Sequence, residues 1–306
     1  MSNLVVFGAT GQQGNAILTT ILDHPTLSKK YSLRGITRDA SKPKAKDLAA
    51  KGIEIVEADL NSTSTLPAAL REAHTVIIIT ETVYEANGKA LELQQGKTVA
   101  DACVAAGVEN IIFSTAVHCN TLWSGGPVDQ FDVKAEIEAY IRTLPLKSSF
   151  FAPGMFMQNL ATMMRPHKQD DGTYLIAGVN DPSTKIPMIE TPADTGEYIV
   201  PLLEDPVGMN GRVMYAGSEL RSFSEMAEII SKASGKTVKY QQIPSEVYAG
   251  FMEKEMGWRV VAMMKFFDSA GYFGPGTEEK LRETLKLVKG RLTGFEEFAT
   301  RVFTDL

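Results

Sequence analysis

Near the start of the chain, Gly8-Ala9-Thr10-Gly11-Gln12-Gln13-Gly14 follows a short apolar run and opens a helical segment. Glycines at this spacing suit phosphate. The first permits a tight turn, the second lets a pyrophosphate approach the backbone, and the third lets helix and strand pack closely. Free amides at the helix N-terminus then face the phosphate, and the helix dipole favours its charge. Thr10, Gln12 and Gln13 complete the expected contacts with Gly8, Gly11 and Gly14. One strand later the chain reads Ile36-Thr37-Arg38-Asp39, with Lys42 beyond it. An acid at this point accepts from the adenosine ribose and marks NAD, whereas arginine pairs with the 2′-phosphate of NADP. Arg38 offers phosphate a planar fork and adenine a stacking face. The expected cofactor is therefore NADP(H), with Lys42 assisting, and Asp39 is the feature that speaks for NAD(H). Asp59-Leu60 would flank adenine, although Asp59 reads equally as a helix cap because Asn61-Ser62 follow.

The elements that must hold these residues follow from hydrophobic periodicity. Apolar runs at Leu4–Phe7, Leu33–Thr37, Ile53–Glu57, Val76–Thr80, Val108–Ser114 and Lys147–Phe151 mostly lack strict alternation, as strands covered on both faces do. Helical segments fill the gaps at Gln12–Asp23, Ser41–Lys51, Ser62–Glu72, Lys89–Ala106 and Val128–Thr143. This alternation predicts right-handed βαβ units and an α/β fold, a Rossmann-type doubly wound parallel sheet with a smaller α+β C-terminal lobe. The predicted NADP(H)-binding domain spans 1–153, with 186–216 returning to it; the substrate or partner lobe takes 154–185 and 217–306. In that lobe Thr173–Val179 reads as a strand. Thr191-Pro192-Ala193-Asp194 reads as a helix start with Thr191 as cap. Ser222-Phe223-Ser224-Glu225 is a capping-box pattern whose helix stops at Gly235.

Composition narrows the classes. The 306 residues are 44% hydrophobic with a net charge of −6, too apolar for a disordered chain and too acidic for a general nucleic-acid binder. The charge is uneven: residues 29–51 hold eight cations against two acids, a basic patch where a 2′-phosphate would sit. Cys103 and Cys119 make neither a disulfide framework nor a zinc site. Apolar runs are too short to span a membrane, and Met1-Ser2-Asn3 leads straight into a strand. The expectation is a cytoplasmic protein, with nuclear residence also compatible.

These residues together resemble the NmrA-like group of atypical short-chain dehydrogenases/reductases. The resemblance rests on the glycine loop and Thr37-Arg38, on Gln95–Ala102 and Phe131–Glu138 in the fourth and fifth helices, and on Gly178–Leu203, with Ile186-Pro187-Met188 before Thr191–Asp194. It implies an NADP-binding Rossmann lobe with a small lobe over a cleft. Active short-chain dehydrogenases carry Tyr four residues before Lys, one helical turn away on the same face. There Lys lowers the phenol's pKa and holds the nicotinamide ribose. Here Lys134 is present but the tyrosine position is Gln130, and an amide transfers no proton at neutral pH. Some members of the family are cofactor-sensing regulators; related isoflavone-reductase-like enzymes reduce substrates with the helix Lys alone. The resemblance thus implies either an NADPH-dependent reductase of a small apolar carbonyl, quinone or alkene, which we favour, or a redox sensor acting on a regulatory protein partner. In the first, Lys134 anchors the ribose and polarises or protonates the substrate.

Other groups stand near the same rim. His118, just past the fifth strand, and Tyr84, after the fourth, are alternative acids, and each is also an ordinary loop residue. Thr80, Ser114 and Thr115 end strands where hydroxyls reach a nicotinamide or simply close the strand. Pro153-Gly154-Met155-Phe156 resembles the family's nicotinamide-side wall. Between Pro244 and Gly271, Met252, Met256, Trp258, Met263, Met264, Phe266 and Phe267 form a Met and aromatic stripe. Such a stripe is usually core; if it lines a cleft, the ligand is planar or apolar, because methionines repack around varied apolar shapes.

Overall fold

Leu4, Val5 and Val6 are wholly buried and Phe7 nearly so, because the strand they form lies at the centre of a parallel sheet covered on both faces. The computed structural model describes residues 1–85 and 87–306. The first half runs β1 (Ser2–Phe7), α1 (Gln12–Asp23), α2 (Leu27–Lys30), β2 (Tyr31–Thr37), α3 (Pro43–Ala50), β3 (Glu54–Glu57), α4 (Leu66–Ala69), β4 (Ala73–Ile78), α5 (Gly88–Ala105), β5 (Asn110–Ser114), α6 (Asp129–Ile141) and β6 (Lys147–Pro153). The second half runs β7 (Met155–Phe156), β8 (His167–Lys168), β9 (Tyr174–Gly178), β10 (Lys185–Ile189), α7 (Thr191–Glu204), β11 (Val213–Ala216), β12 (Glu219–Ser222), α8 (Phe223–Ser234), β13 (Val238–Gln242), α9 (Ser245–Ala249), α10 (Lys254–Ala270), α11 (Thr277–Leu285) and α12 (Phe295–Val302). The main sheet has seven strands in the order β11-β6-β5-β4-β1-β2-β3, all parallel. The strand order reverses between β1 and β4, which opens a crevice at their carboxyl ends, the place where doubly wound sheets take ligands.

Two apolar layers cover the sheet. Ile17, Leu18 and Ile21 of α1 and Tyr198, Ile199 and Leu202 of α7 fill one face; Val99 and Cys103 of α5 with Val133, Ile137 and Ile141 of α6 fill the other. A further cluster carries the smaller lobe, where β12-β10-β7 and β13-β9-β8 form two three-stranded sheets. Within residues 186–216, α7 and β11 do lie on the main sheet. β10 does not, since it pairs with β7 and β12 instead. Among the described residues, no helix is long and apolar enough to cross a membrane.

Local chemistry explains most element ends. Ser222 accepts from the Glu225 amide while Glu225 reaches back to the Ser222 amide, and Gly235 ends α8 in the left-handed region. A cap of this kind contributes about 1 kcal/mol. Three expectations are corrected. The helix expected over Ser62–Glu72 is a 3₁₀ turn at Thr63–Thr65 followed by the short α4, because Pro67 sits in its first turn and supplies no amide to an earlier one. The strand expected over Val76–Thr80 ends at Ile78, leaving Thr80 free of the ladder. The cap of α7 is Glu190, not Thr191; Asp194 accepts from the Glu190 amide at 3.3 Å.

Asp194 also accepts from the amide and hydroxyl of Thr293, tying α7 to the chain before α12. Burial pushes its carboxyl up to about 6, against the pull of the Thr293 hydrogen bonds. From about pH 4 to 6 the folded carboxyl keeps a proton that the unfolded chain has released. This group therefore favours folding at the acid end, and its contribution is lost as pH rises through about 6. Asp194→Asn is expected to remove that slope. In denaturant titrations the variant gains on the wild type between about pH 4 and 6; identical slopes would overturn the assignment.

Candidate functional site

The glycine loop turns at Gly8, whose φ of +76° favours glycine. A Cβ at Gly14 would lie 2.3 Å from the Gly8 carbonyl oxygen, so α1 can start this close to β1 only with glycine there. Gly11 caps α1; among the described residues no side chain accepts from the first turn, and no acidic residue stands in it. Its amides are left facing the crevice, a donor set that fits a pyrophosphate. Ser114, ending β5, donates to Gln13 at 2.8 Å across the crevice.

At the end of β2, Arg38 is exposed and paired with Glu81 at 2.9 Å. Lys42 is exposed as the residue capping α3. Arg34 leaves the basic patch altogether: it is 4% exposed, bonded to Glu54 and to the Ala69 and Arg71 carbonyls at the end of α4. Asp59 closes an Asx turn on the Asn61 amide at 2.9 Å. Leu60 packs against the apolar layer that includes α5.

Beyond the crevice lies a cavity of about 630 Å³. On the sheet side it is lined by Gln13, Thr80, Ser114, Thr115, Gln130, Lys134 and Pro153–Phe156; on the lobe side by Tyr248, Phe251, Met252, Met256, Val260, Met263, Met264 and Phe267. The methionine and aromatic stripe is therefore divided: these residues face the cavity, Phe266 is wholly buried in core, and Trp258 is exposed. Helical periodicity could not tell a core from a cavity wall, since both exclude water.

Lys134 is the most constrained polar group in that wall. Its ammonium donates to Glu92 at 2.5 Å, to the Thr80 hydroxyl at 3.1 Å and to the Thr80 carbonyl at 3.3 Å. Thr80 donates to the same Glu92 oxygen at 2.6 Å. Glu92 is 1% exposed and was missed from sequence. Its one signal was a carboxylate on α5 four residues before Gly96. A Cβ at Gly96 would stand 2.6 Å from Ile137, so glycine lets α5 approach α6, and one turn away Glu92 reaches Lys134.

Gln130 shares the cavity wall with Lys134. Its amide nitrogen donates to the Arg259 carbonyl of α10 at 3.2 Å, and its oxygen has no partner among the described residues. His118 does not line the cavity. Its ring instead faces α6, 3.3 Å from buried Asp132 and 4.0 Å from Glu136, which turns it from the cavity. Tyr84 does line the cavity. Its phenol is shifted above its ordinary range, first by burial and then by the charge of Glu92. Thr115 turns its hydroxyl to the Ala116 and Lys134 carbonyls, closing its strand. Gly154 donates to the Ala216 carbonyl at 2.7 Å, which brings Pro153–Phe156 along the cavity.

A doubly wound sheet, a glycine loop without a side-chain cap and an apolar cavity holding a lysine define a Rossmann-type dinucleotide-fold protein with a roofed ligand cavity. Residues 1–299 match the NmrA-like family, and the chain belongs to that family. It is 27% identical to an NmrA-like family domain-containing oxidoreductase, FrzB, of a Cladobotryum species, over 94% of this chain and 92% of that protein. In fold it is similar to NmrA, a negative transcriptional regulator solved with NADP, with a TM-score of 0.81 at 23% identity over 99% of this chain and 95% of that one. The triphenylmethane reductase of a Citrobacter species, solved with NADP(H), has a TM-score of 0.78 at 21% identity over 98% and 99%.

Proposed function

We propose that this protein is an NADPH-dependent oxidoreductase acting on a carbonyl, quinone or activated alkene borne on an apolar, planar molecule. The observation that carries this reading is Lys134, held in the wall of a largely apolar cavity beside the crevice. The first-turn amides of α1 with Gly8–Gly14 would hold the pyrophosphate, Arg38 and Lys42 the 2′-phosphate, and Asp59-Leu60 would stand on the adenine side. Thr80, Lys134 and Pro153–Phe156 would bracket the nicotinamide end. When bound, NADPH supplies a hydride. Lys134 then orients the substrate oxygen, stabilises the negative charge that grows on it and gives it a proton. The methionine and aromatic wall excludes water. The oxidoreductase names of relatives such as FrzB support the reading.

Gln130 in place of an acid favours a second reading, a sensor of the NADPH/NADP ratio acting through a protein partner. Sensing requires partner affinity that differs between the two cofactor states. Turnover decides: NADPH consumption measured against quinones and aldehydes is expected, and silence across the panel would move the conclusion to the sensor.

The cofactor is tested separately. NADPH should bind more tightly than NADH by titration calorimetry. Arg38→Ala should lower NADPH affinity about tenfold, the low end for a charge-assisted phosphate contact at an exposed site, while NADH, which loses only the stacking face, should weaken much less. Equal wild-type affinities for the two cofactors would sink the NADP assignment.

A further inference from the structure

We infer that Glu92 sets the charge of the substrate: by neutralising Lys134 from behind the cavity wall, it makes the cavity select uncharged molecules over carboxylates and sulfonates. This deepens the reading that substrate meets Lys134 in this cavity, and rests on it.

Among the described residues, no aspartate or glutamate lines the cavity, and its cationic side chains are Lys134 and Arg165, with His167 as a third basic group. Arg165 and His167 are exposed to solvent, where water screens them. The Lys134 side chain is only 17% exposed, with its counter-ion at 1%. An unpaired ammonium in an apolar cavity would draw anions strongly, because charges interact several-fold more strongly there than in water. Here the carboxylate of Glu92 already pairs with the ammonium from behind the wall, and the pair presents a dipole. An anion docking on Lys134 would give up its hydration and meet a second negative charge just behind. A neutral carbonyl or quinone oxygen needs only one N–H, which the longer contacts to Thr80 can release. The close approach of Gly96 to Ile137 sets the spacing of α5 and α6, and Glu92 is held there by both Lys134 and Thr80. The balance is thus part of the packing between two helices and invisible from inside the cavity.

The test uses two probes of similar shape, menadione and 1,4-naphthoquinone-2-sulfonate. Their dissociation constants are measured by calorimetry at low salt in the full chain, alongside kcat/KM with NADPH. Glu92→Gln keeps an acceptor for Lys134 but removes the charge. It should shift the ratio of the two dissociation constants about tenfold or more toward the sulfonate, one unit of pKa-equivalent interaction. Glu92→Asp should keep the wild-type ratio. The double variant E92Q/K134M, neutral again, should return to it; a purely structural role for Glu92 would not produce that return. If E92Q does not fold, Lys134→Met carries the test, since it leaves Glu92 unbalanced and should move the ratio against the sulfonate. A ratio within twofold of wild type in folded E92Q or K134M overturns the inference, even if the neutral quinone is turned over. Wild-type protein that binds neither probe overturns it along with the cavity as substrate site. A shifted ratio without NADPH turnover supports the charge rule and removes only the reductase reading.

Discussion

Replacing Lys134 with alanine should lower turnover about 100-fold or more while leaving NADPH binding measurable. A positioned proton donor contributes about 10²–10⁴ in rate, and the amide of Gln130, the neighbour one turn away, cannot replace it. The residues proposed for phosphate and adenine lie away from Lys134, so the cofactor would lose only its proposed ribose contact. The same substitution should also weaken the fold. Glu92 keeps its Thr80 hydrogen bond but becomes a buried carboxylate without its cation, and breaking such a pair costs about 3 kcal/mol. The double variant K134A/E92Q should recover much of that loss without recovering activity. Stopped-flow NADPH oxidation and denaturant titration separate the two effects. Turnover within threefold of wild type in K134A would remove Lys134 from the chemistry, and an unchanged stability would mean that the Glu92 pair is balanced by something else.

The second large effect is expected at Gly14→Val. A Cβ there meets three atoms of the Gly8–Ala9 backbone: the Gly8 oxygen at 2.3 Å, the Gly8 carbonyl carbon at 2.8 Å and the Ala9 Cα at 2.9 Å. Backbone cannot rotate aside as a side chain can, so α1 must move away from the loop. That motion spoils the amide cradle and disturbs Ile17, Leu18 and Ile21, which α1 buries against α7. We expect NADPH affinity to fall about 100-fold or more, with a loss of about 1–3 kcal/mol, the usual penalty of overpacking. Gly11→Ala supplies the contrast. Its Cβ would sit 3.2 Å from the Gly8 oxygen, and the backbone there has an ordinary φ of −74°. The fold should survive while the new methyl stands where the phosphate must approach. Calorimetry with NADPH and thermal melting of both variants would show it. A Gly14→Val protein that binds as tightly as wild type would contradict the loop's role.

The βαβ order, the capping box at Ser222 and the tight turn at Gly8 could all be read from residue types and spacing, because each depends on a few consecutive positions. Boundaries drifted where a local breaker acted, as at Pro67, or where the cap lay one residue early, as at Glu190. The candidate site divided differently. Lys134 and Pro153–Phe156 do line one cavity, but His118 turned to Asp132 and the methionine stripe proved to be largely wall. Arg34, counted among the phosphate-side cations, is consumed by carbonyls in the fold.

Sequence by itself therefore determined the alternating strands and helices, the glycine turn and the placing of Lys134 and Gln130 on one helical turn. Tertiary structure alone decided that Glu92, on a different helix from Lys134, is its partner, that Tyr84 and not His118 borders the cavity, and that α10 roofs it. Periodicity reports which side of an element avoids water, because that depends only on local geometry. What meets it there depends on strand order and on how closely two helices pack. At α5 and α6 that distance is set by Gly96 against Ile137.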